Sequence, residues 1–158
     1  MRFWFDTEFY EDGRIIDLIS IGIVAEDGRT YYAETKFARA KCRSDWLKQN
    51  VLPHLGGPEW PRVKIARDLI EFMDEKPEIW AYYADYDWVI LCQLFGRMID
   101  MPAGWPMFCR DVKQLADSKG NPELPEQKST EHHALADALW CKEAWEFLQT
   151  GGAQNVAF

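Results

Sequence analysis

Long hydrophobic runs are missing from this chain of 158 residues: the longest, Leu18 to Ala25, covers eight positions and includes a serine. A helical membrane span needs roughly 18 to 20 apolar residues, so none is expected. The opening segment MRFWFDTEF sets Asp6 and Glu8 where a secretory signal requires an unbroken apolar stretch, and the sequence reads as cytoplasmic. Cysteine is scarce. Cys42, Cys92, Cys109 and Cys141 lie far apart, with no CxxC pair and no Cys/His cluster, which excludes a zinc knuckle and a dithiol redox motif and leaves buried, reduced thiols. Positive charge is also short, with 18 Lys and Arg against 26 Asp and Glu, a formal net charge of −8. Such a balance argues against a passive groove that holds duplex nucleic acid by neutralising its phosphates. It is compatible with an enzyme that gathers carboxylates around divalent cations, because bound metal returns positive charge where a phosphate would sit.

No repeat, low-complexity tract or Ser/Gly linker divides the sequence, so residues 1–158 read as a single domain. The first part, with segments from Arg2 to Glu8, Ile15 to Ala25 and Thr30 to Glu34, is rich in aromatic and β-branched residues and broken by Asp-Gly turns, which predicts a three-stranded antiparallel meander. Ser44 caps a short helix through Gln49. A longer helix starts at Pro61, with Val63, Ala66, Leu69, Ile70 and Met73 at helical spacing as its inner face. Glu78 to Tyr83 reads as a buried strand, Asp87 to Phe95 as a helix, Phe108 to Asp111 as a last short strand, and Ala134 to Leu148 as the final helix. The alternation predicts an α/β fold with a mixed sheet flanked by helices. In such a sheet the functional crevice lies at strand ends beside helix starts. The Pro-, Gly- and charge-rich loops from Met98 to Met107 and from Ser118 to Glu131 are expected to border it.

Three acidic clusters carry chemistry. Asp6 and Glu8, one residue apart in an aromatic segment, would project from one face of a strand about 7 Å apart along the chain. Two acids there are costly to desolvate without a counter-charge, so a cation is a natural partner, although a solvated edge strand would also account for them. Asp85 and Asp87 follow the strand ending at Tyr83; Asp85 reads as the helix N-cap and Asp87 as the ligand candidate. In HHALADA, residues 132 to 138, helical periodicity pairs His133 with Asp137, whereas His132 can reach Asp137 only from a loop ahead of the helix.

Together these segments resemble the histidine-bearing branch of the DEDD superfamily of 3′-to-5′ exonucleases. The first motif of that family, Asp-x-Glu, matches DTE at Asp6 and Glu8. Its second matches YDWVIL at Asp87, and its third, His-x-Ala-Leu-x-Asp-Ala, matches HHALADA and selects His132 over His133. Over nearly the whole chain, FDTEFYEDG, IDLISIGIVAEDGR, YDWVILCQLFG and HHALADA are similar to the small bacterial exoribonucleases that prefer adenylate-containing RNA, the RNase AS group. One departure is Tyr83, which stands where many DEDD exonucleases have Asn.

The resemblance implies a ribonuclease-H-like fold, a homodimer, and two divalent cations, Mg²⁺ or Mn²⁺, held by Asp6, Glu8, Asp87 and Asp137, with His132 as general base. It implies hydrolysis of single-stranded RNA from its 3′ end to nucleoside 5′-monophosphates. Thr7, between the two acids, Phe9 beside them, Trp105 in the GWP loop and Arg110 are the candidate substrate contacts, and the Arg39, Lys41, Arg43 cluster could meet phosphates. Still open are a single-stranded DNA exonuclease or oligoribonuclease with the same acids, and a non-catalytic module holding one structural cation.

Overall fold

The computed structural model describes residues 1–37 and 42–151; Arg39 and Lys41 of the basic cluster lie outside them. Strands β1 (Arg2–Glu11), β2 (Ile16–Ala25) and β3 (Thr30–Glu34) form the expected antiparallel meander. Strands β4 (Glu78–Ala81) and β5 (Arg110–Asp111) join in parallel on the other side of β1, giving the order β3-β2-β1-β4-β5. Helices α1 (Asp45–Asn50), α2 (Arg62–Phe72), α3 (Asp85–Phe95), α4 (Val112–Ser118) and α5 (Ala134–Gln149) flank this mixed sheet, an α/β arrangement consistent with a ribonuclease-H-like fold. Among the described residues no helix is long and apolar enough to cross a membrane.

Strand alternation divides the core in two. Phe3, Phe5, Ile21, Ile23, Ala25 and Ala33 pack against α2 and α3 on one face, and Trp4 and Val24 pack against α4 and α5 on the other. Helix α5 lies close to the sheet because its buried positions are mostly small: Ala134, Ala138, Cys141 and Ala144, ending in Leu148. Gly22 completes the fit, since a Cβ there would stand 2.3 Å from the Leu135 backbone N and Cα.

Several elements differ from their sequence reading. Strand β1 runs three residues past Glu8, with a register shift between Glu8 and Phe9 that leaves Ile19 of β2 without a partner on β1 and turns it toward Cys42, Leu47 and Val51. The inner face of α2 is Ile65, Ala66 and Leu69, while Val63 and Ile70 are exposed; the helix rests on the sheet along a line rotated from the one its aliphatic residues suggest. Asp85 does not cap α3. That position falls to Ala84, whose N–H donates to Asp111 Oδ2 at 2.9 Å, and Asp111 also caps α4, a helix the sequence pattern does not reveal.

Candidate active site

Strand β1 is the spine of the site. Asp6 and Glu8 point to the α5 face, opposite Gly22 and Ser20 of β2. Strand β4 pairs with β1 only from Arg2 to Trp4, so beyond that point the edge of β1 is open. Asp87, in the first turn of α3, fills the opening: its Oδ1 accepts the Thr7 backbone N–H at 2.9 Å and the Thr7 hydroxyl as well. Crevices of this kind, outside the carboxyl ends of parallel strands, are where α/β sheets bind ligands. Thr7 is 4% exposed, so its role in the fold is to hold Asp87, and this buried threonine is not available to substrate. Thr7→Val keeps the volume and the backbone donor but removes the hydroxyl. We expect turnover to fall about 10-fold and the melting temperature to drop measurably, because a buried carboxylate loses one of its donors; an unchanged rate would mean that the backbone N–H suffices.

The other side of the cleft comes from α5 and the loop before it. His132 has a positive φ of 61° and His133 is the residue preceding the helix. This left-handed turn, tolerated by His better than by most residues, sends the two imidazoles apart. The ring of His133 stacks on Tyr32 with centroids 4.6 Å apart, while the ring of His132 meets Trp46 edge-on at 4.7 Å. His132 stands with Glu8 and Asp137, one ligand atom from each lying within 4.8 Å of the others. The cleft beside them, about 220 Å³, is lined by Asp6, Tyr82, Gln127, Glu131, His132, Asp137 and Trp140.

Electrostatics show how tightly the acids are crowded. Burial, then Asp87, Glu8 and Asp137, push the Asp6 carboxyl well above its usual range. Burial, then Asp137 and Asp87, raise Glu8 to about 8. Burial raises Asp87 to about 6 against the opposing bonds from Thr7, and raises Asp137 against those from Gln127 and the charge of His132. Glu8, His132 and Asp137 form a group that could hold a metal, and Asp6 and Asp87 add two more crowded carboxylates beside it, an oxygen-rich set of the kind that suits hard divalent cations.

Because the folded pKa values of Glu8 and Asp6 exceed the unfolded ones, the native state keeps protons that the unfolded chain has released. Stability in EDTA is then greatest near and below pH 4.5 to 5 as far as these groups are concerned, and is lost as pH rises toward about 8. Each tenfold gain in proton affinity is worth about 1.4 kcal/mol, so the loss amounts to a few kcal/mol. Melting curves in EDTA should therefore move down between pH 6 and pH 8, and millimolar Mg²⁺ or Mn²⁺ should remove the decline. Equal slopes with and without metal would show that no cation replaces those protons.

The sequence profile of the 3′-5′ exoribonuclease Rv2179c-like domain matches residues 1–149. The chain belongs to this family. Two curated relatives, from Mycobacterium tuberculosis strains H37Rv and CDC 1551 and named 3′-5′ exoribonuclease Rv2179c and 3′-5′ exoribonuclease MT2234.1, are each 45% identical over 87% of this chain and 87% of their own length. Within this Rv2179c-like domain, Asp6, His132 and Asp137 line the cleft, Glu8 lies beside His132 and Asp137, and Asp87 stands behind them as a charge neighbour of Asp6 and Glu8.

The candidate substrate contacts fare differently. Phe9 is half-buried against Tyr86, ring edge to face at 5.7 Å, just past the acids. Trp105 does not join the cleft: at 7% exposure it belongs to the core, edge-on to Phe95, because its loop folds back under α3. Arg110 is exposed at the start of β5, its guanidinium near the Trp80 and Phe108 rings, and is not among the residues lining the acid cleft. Gln127, Glu131, Tyr82, Trp140 and the neighbouring Trp46 are the additions the structure makes. Of these, only the loop holding Gln127 and Glu131 is marked by composition as bordering a crevice.

Proposed function

We propose that the chain is a 3′-to-5′ exoribonuclease of the histidine-bearing DEDD branch, akin to the RNase AS group, that degrades single-stranded RNA to nucleoside 5′-monophosphates with two divalent cations and prefers adenylate-rich 3′ ends. The observation that carries this reading is the meeting of Glu8, His132 and Asp137 within 4.8 Å, beside Asp6 and Asp87, in a domain whose curated relatives are named 3′-5′ exoribonucleases. Asp6, Glu8, Asp87 and Asp137 would hold the cations. Bound Mg²⁺ or Mn²⁺ supplies an activated water and neutralises charge at the scissile phosphate.

The residues of the chain do the rest. His132, ahead of α5 and free of intrahelical packing, takes the proton of the attacking water. Thr7 fixes Asp87. Trp46, half exposed beside His132, and Trp140 on the cleft wall offer aromatic surface against which an unpaired base can stack. The reading includes a cytoplasmic location and the homodimeric state that the resemblance implies, the latter checked by light scattering.

The deciding experiment is product analysis on 3′-labelled single-stranded RNA and DNA of matched sequence, with and without EDTA. Nucleoside monophosphates from RNA alone, abolished by EDTA and restored by Mg²⁺ or Mn²⁺, are expected. Equal release from DNA would transfer the activity to a DNA exonuclease. No metal-dependent release from either would leave a non-catalytic module.

A further inference from the structure

Asp137 lies in the first turn of α5, and one of its carboxylate oxygens is already occupied: Gln127 Nε2 donates to Oδ1 at 2.5 Å. The same amide sits 3.3 Å from Ser129 Oγ, and the backbone of its loop is tied to α5 a second time, where the Trp140 indole N–H donates to the Pro125 carbonyl at 2.9 Å. Asp137 and Trp140 are three residues apart and so share a face of the helix. The loop from Asn121 to Glu131 is thus fastened across the side of α5 that carries the metal-ligand candidate, and it leads directly into His132.

We propose that Gln127 is a positioning residue for the cation site: its amide fixes the rotation of the Asp137 carboxylate and leaves the second oxygen for metal. This rests on the metal-dependent reading above. A carboxylate alone turns freely about χ2, and Asp137 also meets Glu8 in a side-chain hydrogen bond that a bound cation would displace. A neutral donor on one oxygen removes that freedom without adding a competing charge. Partners of this kind are worth about 10- to 100-fold in metal affinity.

The test uses the metal alone. Mn²⁺ binding to the apoprotein is measured by electron paramagnetic resonance for the wild type, for Gln127→Met, which keeps the shape and loses the donor, and for Trp140→Phe, which cuts the other tether without touching Asp137. Gln127→Met should weaken Mn²⁺ binding about 10-fold or more, and RNA turnover should recover toward wild type with excess Mn²⁺ at an unchanged KM for RNA. Trp140→Phe should bind Mn²⁺ within about twofold of wild type. The proposal falls if Gln127→Met binds Mn²⁺ as the wild type does, if its KM for RNA rises at saturating metal, or if Trp140→Phe loses as much affinity, which would make general fastening of the loop the cause. If Gln127→Met fails to fold, Gln127→Asn, whose amide is one methylene too short, takes its place under the same criteria. Absence of Mn²⁺ binding by the wild type would instead overturn the two-cation reading itself.

Discussion

Asp137→Asn is expected to reduce RNA hydrolysis by about a thousandfold or more while the protein stays folded and melts, in EDTA, no lower than the wild type. On the proposed two-cation reading, the rate loss follows from removing one anionic ligand from a site whose chemistry depends on concentrated positive charge. The stability follows from the same crowding that raises the neighbouring pKa values: Glu8 and Asp6 are both pushed up in part by Asp137, so a neutral amide relieves repulsion. Asparagine also keeps an oxygen to accept the Gln127 amide, so the fastening of the loop survives. Initial rates on single-stranded RNA and a melting curve in EDTA are sufficient. A variant that unfolds would make Asp137 a structural residue, and one that retains activity would remove it from the metal site.

How much of this is legible in the sequence depends on the range of the interactions involved. The meander and α5 follow from local alternation and helical spacing and lie where the sequence places them, whereas β4 stops at Ala81, short of the expected Tyr83, and α3 starts at Asp85, ahead of the expected Asp87. The five acid and imidazole residues stand out by motif, but the choice between His132 and His133 needs a resemblance. Helical spacing favours His133, and only the left-handed backbone at His132 brings its ring to Glu8 and Asp137. Trp105 is misplaced for a nonlocal reason: nothing within GWP says that the loop returns under α3 onto Phe95. Asp85 misses its expected role for a similar one: α3 begins at Asp85 itself, and Ala84 before it makes no side-chain cap bond. An acid at a helix start is a sound N-cap expectation, but here an aspartate 27 positions away takes the Ala84 N–H. Gln127 has no local signature at all. It matters because the chain folds back ten residues later to present Asp137.

Gly22→Ala is the second substitution with a large expected effect, and it separates folding from site assembly. Alanine suits a strand better than glycine does, so on propensity alone the change would stabilise β2. The surroundings forbid it: an added Cβ would lie 2.3 Å from Leu135 N and Cα and 2.4 Å from the Ala134 carbonyl carbon, all backbone atoms that no rotamer change can move. Helix α5 must then lift from the sheet at its first turn, which carries Asp137 and follows His132. Overpacking of this kind typically costs about 1–3 kcal/mol, which in a domain of this size lowers the melting temperature by about 2 to 12 °C. A displacement of about 1 Å between reacting groups can cost about 100-fold in rate, so activity should fall further than stability. Gly56→Ala is the control, because an added Cβ there meets nothing within 4 Å and the backbone N–H that bonds Glu34 is kept. Wild-type melting and turnover in Gly22→Ala would show that α5 does not depend on that close approach to hold Asp137 against Glu8.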